Sequence, residues 1–139
     1  GALHAKALDD SAAIARRLPT DGPVLPALRT FLDDAITIGE RYRFILMYHR
    51  TDPALFDVEA RATAPVIKAI RRGQSGGEID RRLDPVFAAG QVTMLVIGVI
   101  GLVERGAMTL DHARRQAQLS FANTIAGSVE MEPFDAIRP

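Results

Sequence analysis

The sequence predicts an all-α chain of about six helices. Three observations carry this. Apolar residues recur three and four positions apart through most of the chain, and no stretch shows the strict alternation of a half-buried strand. Proline and glycine punctuate that pattern at Pro19, Pro53, Pro65, residues 73–77 and Gly106. One stretch, DPVFAAGQVTMLVIGVIGLVER at residues 84–105, is the most apolar in the chain and has helix signals at both ends. Asp84 can cap it with Pro85 as the first helical residue, and Gly106 can end it.

Within that stretch residues 92–103 are apolar on every side, so this is expected to be the central, buried helix. A membrane span needs about 20 apolar residues, and this run is closed early by Glu104 and Arg105, so burial within a soluble protein is expected. Gly90, Gly98 and Gly101 each lower helix stability by roughly 1 kcal/mol relative to Ala, which points to another backbone coming close. A dimer seam and tight packing inside one monomer both fit.

The other elements follow in order. Leu3, Ala7, Ala13, Ile14 and Leu18 lie near helical spacing with no capping residue before them, so the chain is expected to begin inside a helix of a longer protein. Pro19 stops this helix, and Thr20-Asp21-Gly22-Pro23 is a turn and a new start, with Asp21 or Gly22 as cap. The second helix is predicted over residues 23–50, with an apolar face from Leu25 and Leu28 to Met47 and Tyr48 that broadens towards its C-terminal end. Thr51-Asp52-Pro53 starts a short helix that Pro65 breaks or kinks. The next helix, residues 65–72, ends at Gly73, and residues 74–78 are a loop anchored by Ile79. After Gly106, Thr109 caps a last long helix that Gly127 closes, and the tail to Pro139 is expected to fray.

Composition narrows the function. The chain has 139 residues, 47% hydrophobic and 24% charged, which is ordinary for one globular domain with a real core. Its 17 Lys+Arg balance 17 Asp+Glu, so it lacks the basic excess with which a protein neutralises nucleic-acid phosphates. Without cysteine there is no disulfide framework or thiolate site, and the charged stretch GALHAKALDD does not read as a signal peptide, so a cytoplasmic location is expected. Nearly all basic residues are Arg and Ala is abundant, which fits a GC-rich bacterial genome.

Three segments resemble a known family. RRGQSGGEI at residues 71–79, followed by DRRLDPV at 80–86 and a long apolar helix, is similar to the C-terminal domain of TetR-family transcriptional regulators. There, a basic pair, Gly-Gln, two small residues, Gly-Glu-hydrophobic and Asp-Pro join the seventh helix to the eighth. ARRQAQLSFANTIAG at 113–127 resembles the family's ninth helix, and LHAKAL at 3–8 the end of its fourth. The resemblance implies that residues 1–18 end a linker helix from a DNA-binding helix-turn-helix not present here, and that residues 20–139 form the ligand-binding and dimerisation domain. It implies a homodimer joined by a four-helix bundle of two helices from each subunit. Gly98, Gly101, Ala117 and Ala126 would let those helices approach, with Leu102, Leu119 and Phe121 filling the seam.

The same resemblance implies a small-molecule effector, apolar or amphipathic, held among the middle helices. Phe44, Met47, Tyr48, Phe56, Phe87 and Met94, with Gln91 as a polar member, are the expected lining, since apolar walls with a few polar groups make ligand sites. Aromatic and Met side chains at helical spacing equally suit a plain core. DNA would be reached only through the missing N-terminal domain, and no cofactor, metal or membrane partner is expected. A ligand would shift the population between operator-bound and free forms, with the first helix transmitting the change. A helical interaction module or small bundle enzyme without a regulatory role is the alternative; a helix-turn-helix encoded upstream of Leu3 would favour the sensor.

No catalytic constellation is expected. His49, Asp52, Asp57 and Glu59 straddle a helix break and match no metal-ligand motif. Residues 73–77 lack the Gly-Lys-Ser/Thr and preceding strand of a phosphate loop. The pairs Arg16-Arg17, Arg71-Arg72, Arg81-Arg82 and Arg114-Arg115 read as solvated helix surface.

Overall fold

The structure, a computed structural model, describes residues 2–48 and 53–126, and the side chains of all of these except 53–62. It is all-helical: α1 (Ala2–Arg16), α2 (Val24–Arg41), α3 (Arg43–Tyr48), α4 (Pro53–Ser75), α5 (Pro85–Glu104) and α6 (Leu110–Ala126), with no strand among the described residues. The residues after Ala126, and with them the expected stop at Gly127 and the frayed tail, lie outside the described part.

Two helices do not fall where the sequence puts them, and the two differences cancel in the count. The single helix expected over residues 23–50 is divided at Tyr42, whose φ of −108° and ψ of 28° leave the helical region. The Tyr42 side chain explains the break: it turns inward to pack with Ala7 and Ile45 and donates a hydrogen bond to Asp10 on α1. Conversely, the two helices expected on either side of Pro65 are one, α4, with the proline inside it. An interior proline costs roughly 3 kcal/mol. Buried Val66, Ala69 and Ile70, on the side that α4 packs against α1, α2 and α5, offset that cost.

α2 and α5 lie at the centre. α2 packs against α1, α4, α5 and α6, and α5 against α2, α4 and α6, with α3 across α5. Leu28, Leu32 and Ile36 of α2 meet Ile70 of α4, Ile100 of α5 and Ile125 of α6 in one continuous core, and no charged or polar side chain is buried among the described residues. Such a core rests on apolar burial alone.

The helix ends show how local and distant signals divide the work. Asp84 caps α5 as expected, its Oδ1 accepting from Val86 N at 2.8 Å and Phe87 N at 3.3 Å. Gly106, at φ +71°, takes the left-handed conformation that ends α5, and Thr109 Oγ1 caps α6 by accepting from His112 N. The N-terminus of α2 departs from expectation, because neither Asp21 nor Gly22 caps it. Pro23 holds the cap position, and the Glu78 carboxylate, 54 positions away, accepts from Val24 N at 3.0 Å. A carboxylate there satisfies orphan N–H groups and the positive end of the helix dipole together.

The glycine-rich connection is thus a structural knot rather than a slack loop. α4 continues through Ser75, and Gly77 turns the chain at φ +83°. A side chain at Gly73 would lie 2.6 Å from Ile79 Cδ1, so only glycine lets the buried Ile79 anchor close against α4. Gln74 Nε2 donates to Asp80 O and Leu83 O, and Asp80 N donates to Ile125 O, which fixes the connection to α6. Four of the paired arginines also act inside the chain instead of merely facing solvent, Arg81 by donating to Gln74 O. Arg72 donates to Gly22 O and Pro19 O, Arg82 pairs with Asp80, and Arg114 donates to Asp33 O and Oδ1.

Candidate functional site

Between α1 and the central helices lies a half-open cavity of about 170 Å³. Its origin is visible in the sequence of its walls. α1 contributes Ala7 and Ser11, α2 contributes Ala35 and Gly39, and α5 contributes Ala89 and Thr93. Each is a pair of small residues one helical turn apart, so three helices present shallow faces to the same space. Ile14, Phe31, Ile45, Val66 and Val96 close the apolar wall around them. At the Gly39 end the helices touch, since a side chain there would lie 2.7 Å from Val96 Cγ1.

The polar groups are few. Tyr42 lines the cavity and donates its hydroxyl to Asp10 Oδ2 at 2.6 Å, and Arg41 Nη1 pairs with the same oxygen at 3.3 Å. The Tyr42 hydrogen bond, helped by Lys6 and Arg41, holds the Asp10 carboxyl below the usual carboxylate range, and the same bond raises the Tyr42 phenol. Ser11 and Thr93 also line the cavity, and their hydroxyls have no hydrogen-bond partner among the described residues. No charged side chain among the described residues lines it.

The residues expected to line a pocket lie elsewhere. Phe44 and Tyr48 are 61% and 73% exposed, their rings 5.1 Å apart on the outer side of α3. Phe87 and Met94 are 67% and 66% exposed on the outer side of α5, and Gln91 is half-buried beside them. Met47 is half-buried and packs against the core. None of these lines the cavity, and the Phe56 side chain is outside the described residues. The physical reasons are separate for the two helices. The break at Tyr42 resets the helical phase, so that Ile45 rather than Phe44 or Tyr48 turns inward. On α5 the buried stripe is Ala88, Ala89, Val92, Val96, Val99 and Ile100, a choice its uniformly apolar sequence does not reveal. The searchable signal was the small residues four apart on three helices, because a cavity forms where side chains are missing.

The residues assigned to a dimer seam divide between two faces. Ala117 and Phe121 are buried in the chain's own core, at 4% and 3% exposure, and serve packing within it. Gly98 and Leu119 are exposed, and Gly101, Leu102 and Ala126 are half-buried. At Gly90 and Gly98 a side chain would meet nothing within 4 Å, so their close approach to another backbone is not made inside this chain. Val86, Phe87 and Met94 share that open side of α5. By length and composition alone the whole of α5 is long and apolar enough to cross a membrane, and about a third of it is buried in the chain.

Of the weighed acid/base residues, His49 and Asp52 and the side chains of Asp57 and Glu59 fall outside the described part; among the described residues no cluster of His, Asp or Glu could hold a metal ion. Comparison with protein-family models, with curated proteins and with solved structures finds no match.

Proposed function

We propose that this chain is the effector-sensing and homodimerising part of a TetR-type transcriptional regulator, a repressor whose DNA-binding domain precedes α1. The observation that carries the reading is the apolar cavity with α1 as one wall: whatever fills it presses on the helix that would lead to DNA. Ser11 and Ile14 of α1 face the space and lie between the Ala7 and Asp10 contacts with Tyr42 and the packing of Ala15 in the main core, so a ligand bears on the middle of a helix held on both sides. A ligand that favours one setting of α1 shifts the balance between operator-bound and free forms in proportion to its differential affinity for the two. On this reading the protein works in the cytoplasm and by ligand binding alone; a helical interaction module or small bundle enzyme is the alternative.

The second part of the reading is that a second copy covers the open side of α5. Phe87, Gly90, Met94, Gly98 and Leu102 form a band along it, and Leu119 of α6 is 57% exposed. Contiguous apolar surface of this kind marks an interaction site, and the bare backbone at Gly90 and Gly98 suits two helices crossing at a two-fold axis. Light scattering over a range of concentrations tests this. A mass of twice 15.1 kDa is expected, and Gly98→Glu should reduce it to the single-chain value without unfolding the chain. A strict monomer, or a chain that floats with lipid vesicles through α5, would overturn the dimer.

A further inference from the structure

The cavity's size and lining specify the kind of molecule it accepts, an inference that rests on the sensing function proposed above. Its volume is about 170 Å³. A closed apolar cavity of about 150 Å³ takes up benzene, so this half-open space holds one ring with a small substituent, and a fused-ring or long-chain molecule would have to extend out through the opening. Phe31 and Tyr42 contribute ring surface to the walls, which suits an aromatic guest.

Charge is excluded on equally direct grounds. Among the described residues no charged side chain lines the cavity, so a carboxylate or ammonium carried wholly into it would lose its water without gaining a partner there. Asp10, the partner of the cavity-lining Tyr42, already accepts from Tyr42 and pairs with Arg41 through its Oδ2 and is not itself a lining residue. Ser11, Thr63 and Thr93 bring hydroxyl groups to the wall. The hydroxyls of Ser11 on α1 and Thr93 on α5 are cavity-lining and have no partner among the described residues, and either can give or accept a hydrogen bond.

We propose that the cavity binds a neutral, single-ring aromatic molecule of benzene to phenol size, with its one polar group hydrogen-bonded by Ser11 or Thr93. Filling it would lock Tyr42 against Asp10 and fix α1 in one setting.

Thermal-shift titration of the whole chain with benzene, phenol, benzoate and decanoate tests this. Benzene and phenol are expected to raise Tm saturably, benzoate and decanoate are not, and phenol should bind about 3- to 10-fold more tightly than benzene. The double variant Ser11→Ala, Thr93→Val should keep benzene binding and lose the phenol preference. Ala35→Leu, which fills the space, should abolish both responses. Shifts with decanoate or benzoate and none with the neutral rings would overturn the ligand class and leave a sensing domain with a different effector. An unchanged response in Ala35→Leu would show that the rings bind elsewhere and would overturn the assignment of this cavity. No shift with any of the four probes would also overturn the ligand class, and the solution mass then judges the sensing domain independently.

Discussion

At its N-terminal end α2 receives the Glu78 carboxylate on Val24 N, and neighbouring turns are fastened by Arg72 to Gly22 O and Pro19 O and by Gln118 to Arg29 O. At its C-terminal end the attachment to α1 is the Asp10 carboxylate, shared between Tyr42 and Arg41, beside a cavity. The first end has no room for a methyl group and the second has room for a ligand. One helix thus joins a close-packed part to a part with open space, which suits the proposed sensing role: a response at the cavity needs a fixed frame to act against.

Two alanine substitutions break the comparison most directly. At Gly73 an added methyl meets Ile79 at 2.6 Å and Val24 at 3.2 Å, both buried in the continuous core. Overpacking of this kind outweighs the helix-propensity gain, and Gly73→Ala should lose about 1–2 kcal/mol in denaturant unfolding. At Gly39 the methyl meets Val96 Cγ1 at 2.7 Å, but Val96 borders the cavity and can turn into it. Gly39→Ala should therefore stay within about 0.5 kcal/mol of the parent, because the propensity gain is retained. Equal losses at the two glycines would mean that the cavity end is as unyielding as the knot.

Removing the distant cap is the next test. Glu78→Ala should cost about 1 kcal/mol, as loss of an N-cap does, and amide exchange at Val24 and Leu25 should quicken more than at Ile36. Uniform quickening along α2 would deny the cap its local role. At the other end Ala35→Leu should be neutral or stabilising by up to about 1 kcal/mol, since it fills space rather than displacing packed atoms. A clear loss of stability would show that the space is smaller than the geometry indicates.

The smallest effect is a pH dependence. Asp10 is held low in the folded chain, so its contribution to stability is present above the usual carboxylate value and is lost as pH falls below about 4. Tyr42 is raised, so its contribution is present below its usual value and is lost as pH rises through the raised one, beyond about 10. Between those limits Tyr42→Phe should lower Tm slightly, and the gap to the parent should close at both extremes. Parallel Tm curves across the whole range would remove the Asp10–Tyr42 bond from the account of how α1 is held.

The chain's helical character and the ends of α5 and α6 were legible because the signals lie within a few residues of what they control: Asp84 caps Val86 and Phe87, Thr109 caps His112, and Gly106 supplies its own left-handed turn. Ile79 as an anchor was legible too, as a lone apolar residue in a glycine-rich connection. Everything that locates the candidate site depended on partners far along the chain. The break at Tyr42 needs Asp10, 32 positions away; the start of α2 needs Glu78, 54 positions away; and Pro65 stays inside α4 because of what α4 packs against. Local propensity cannot register such partners, and a uniformly apolar α5 carries no periodicity to tell which face turns inward. The cavity is further from view again, since it is made by what Ala7, Ser11, Ala35, Ala89 and Thr93 lack, and an absence of side chain acquires meaning only when the helices that share it are brought together.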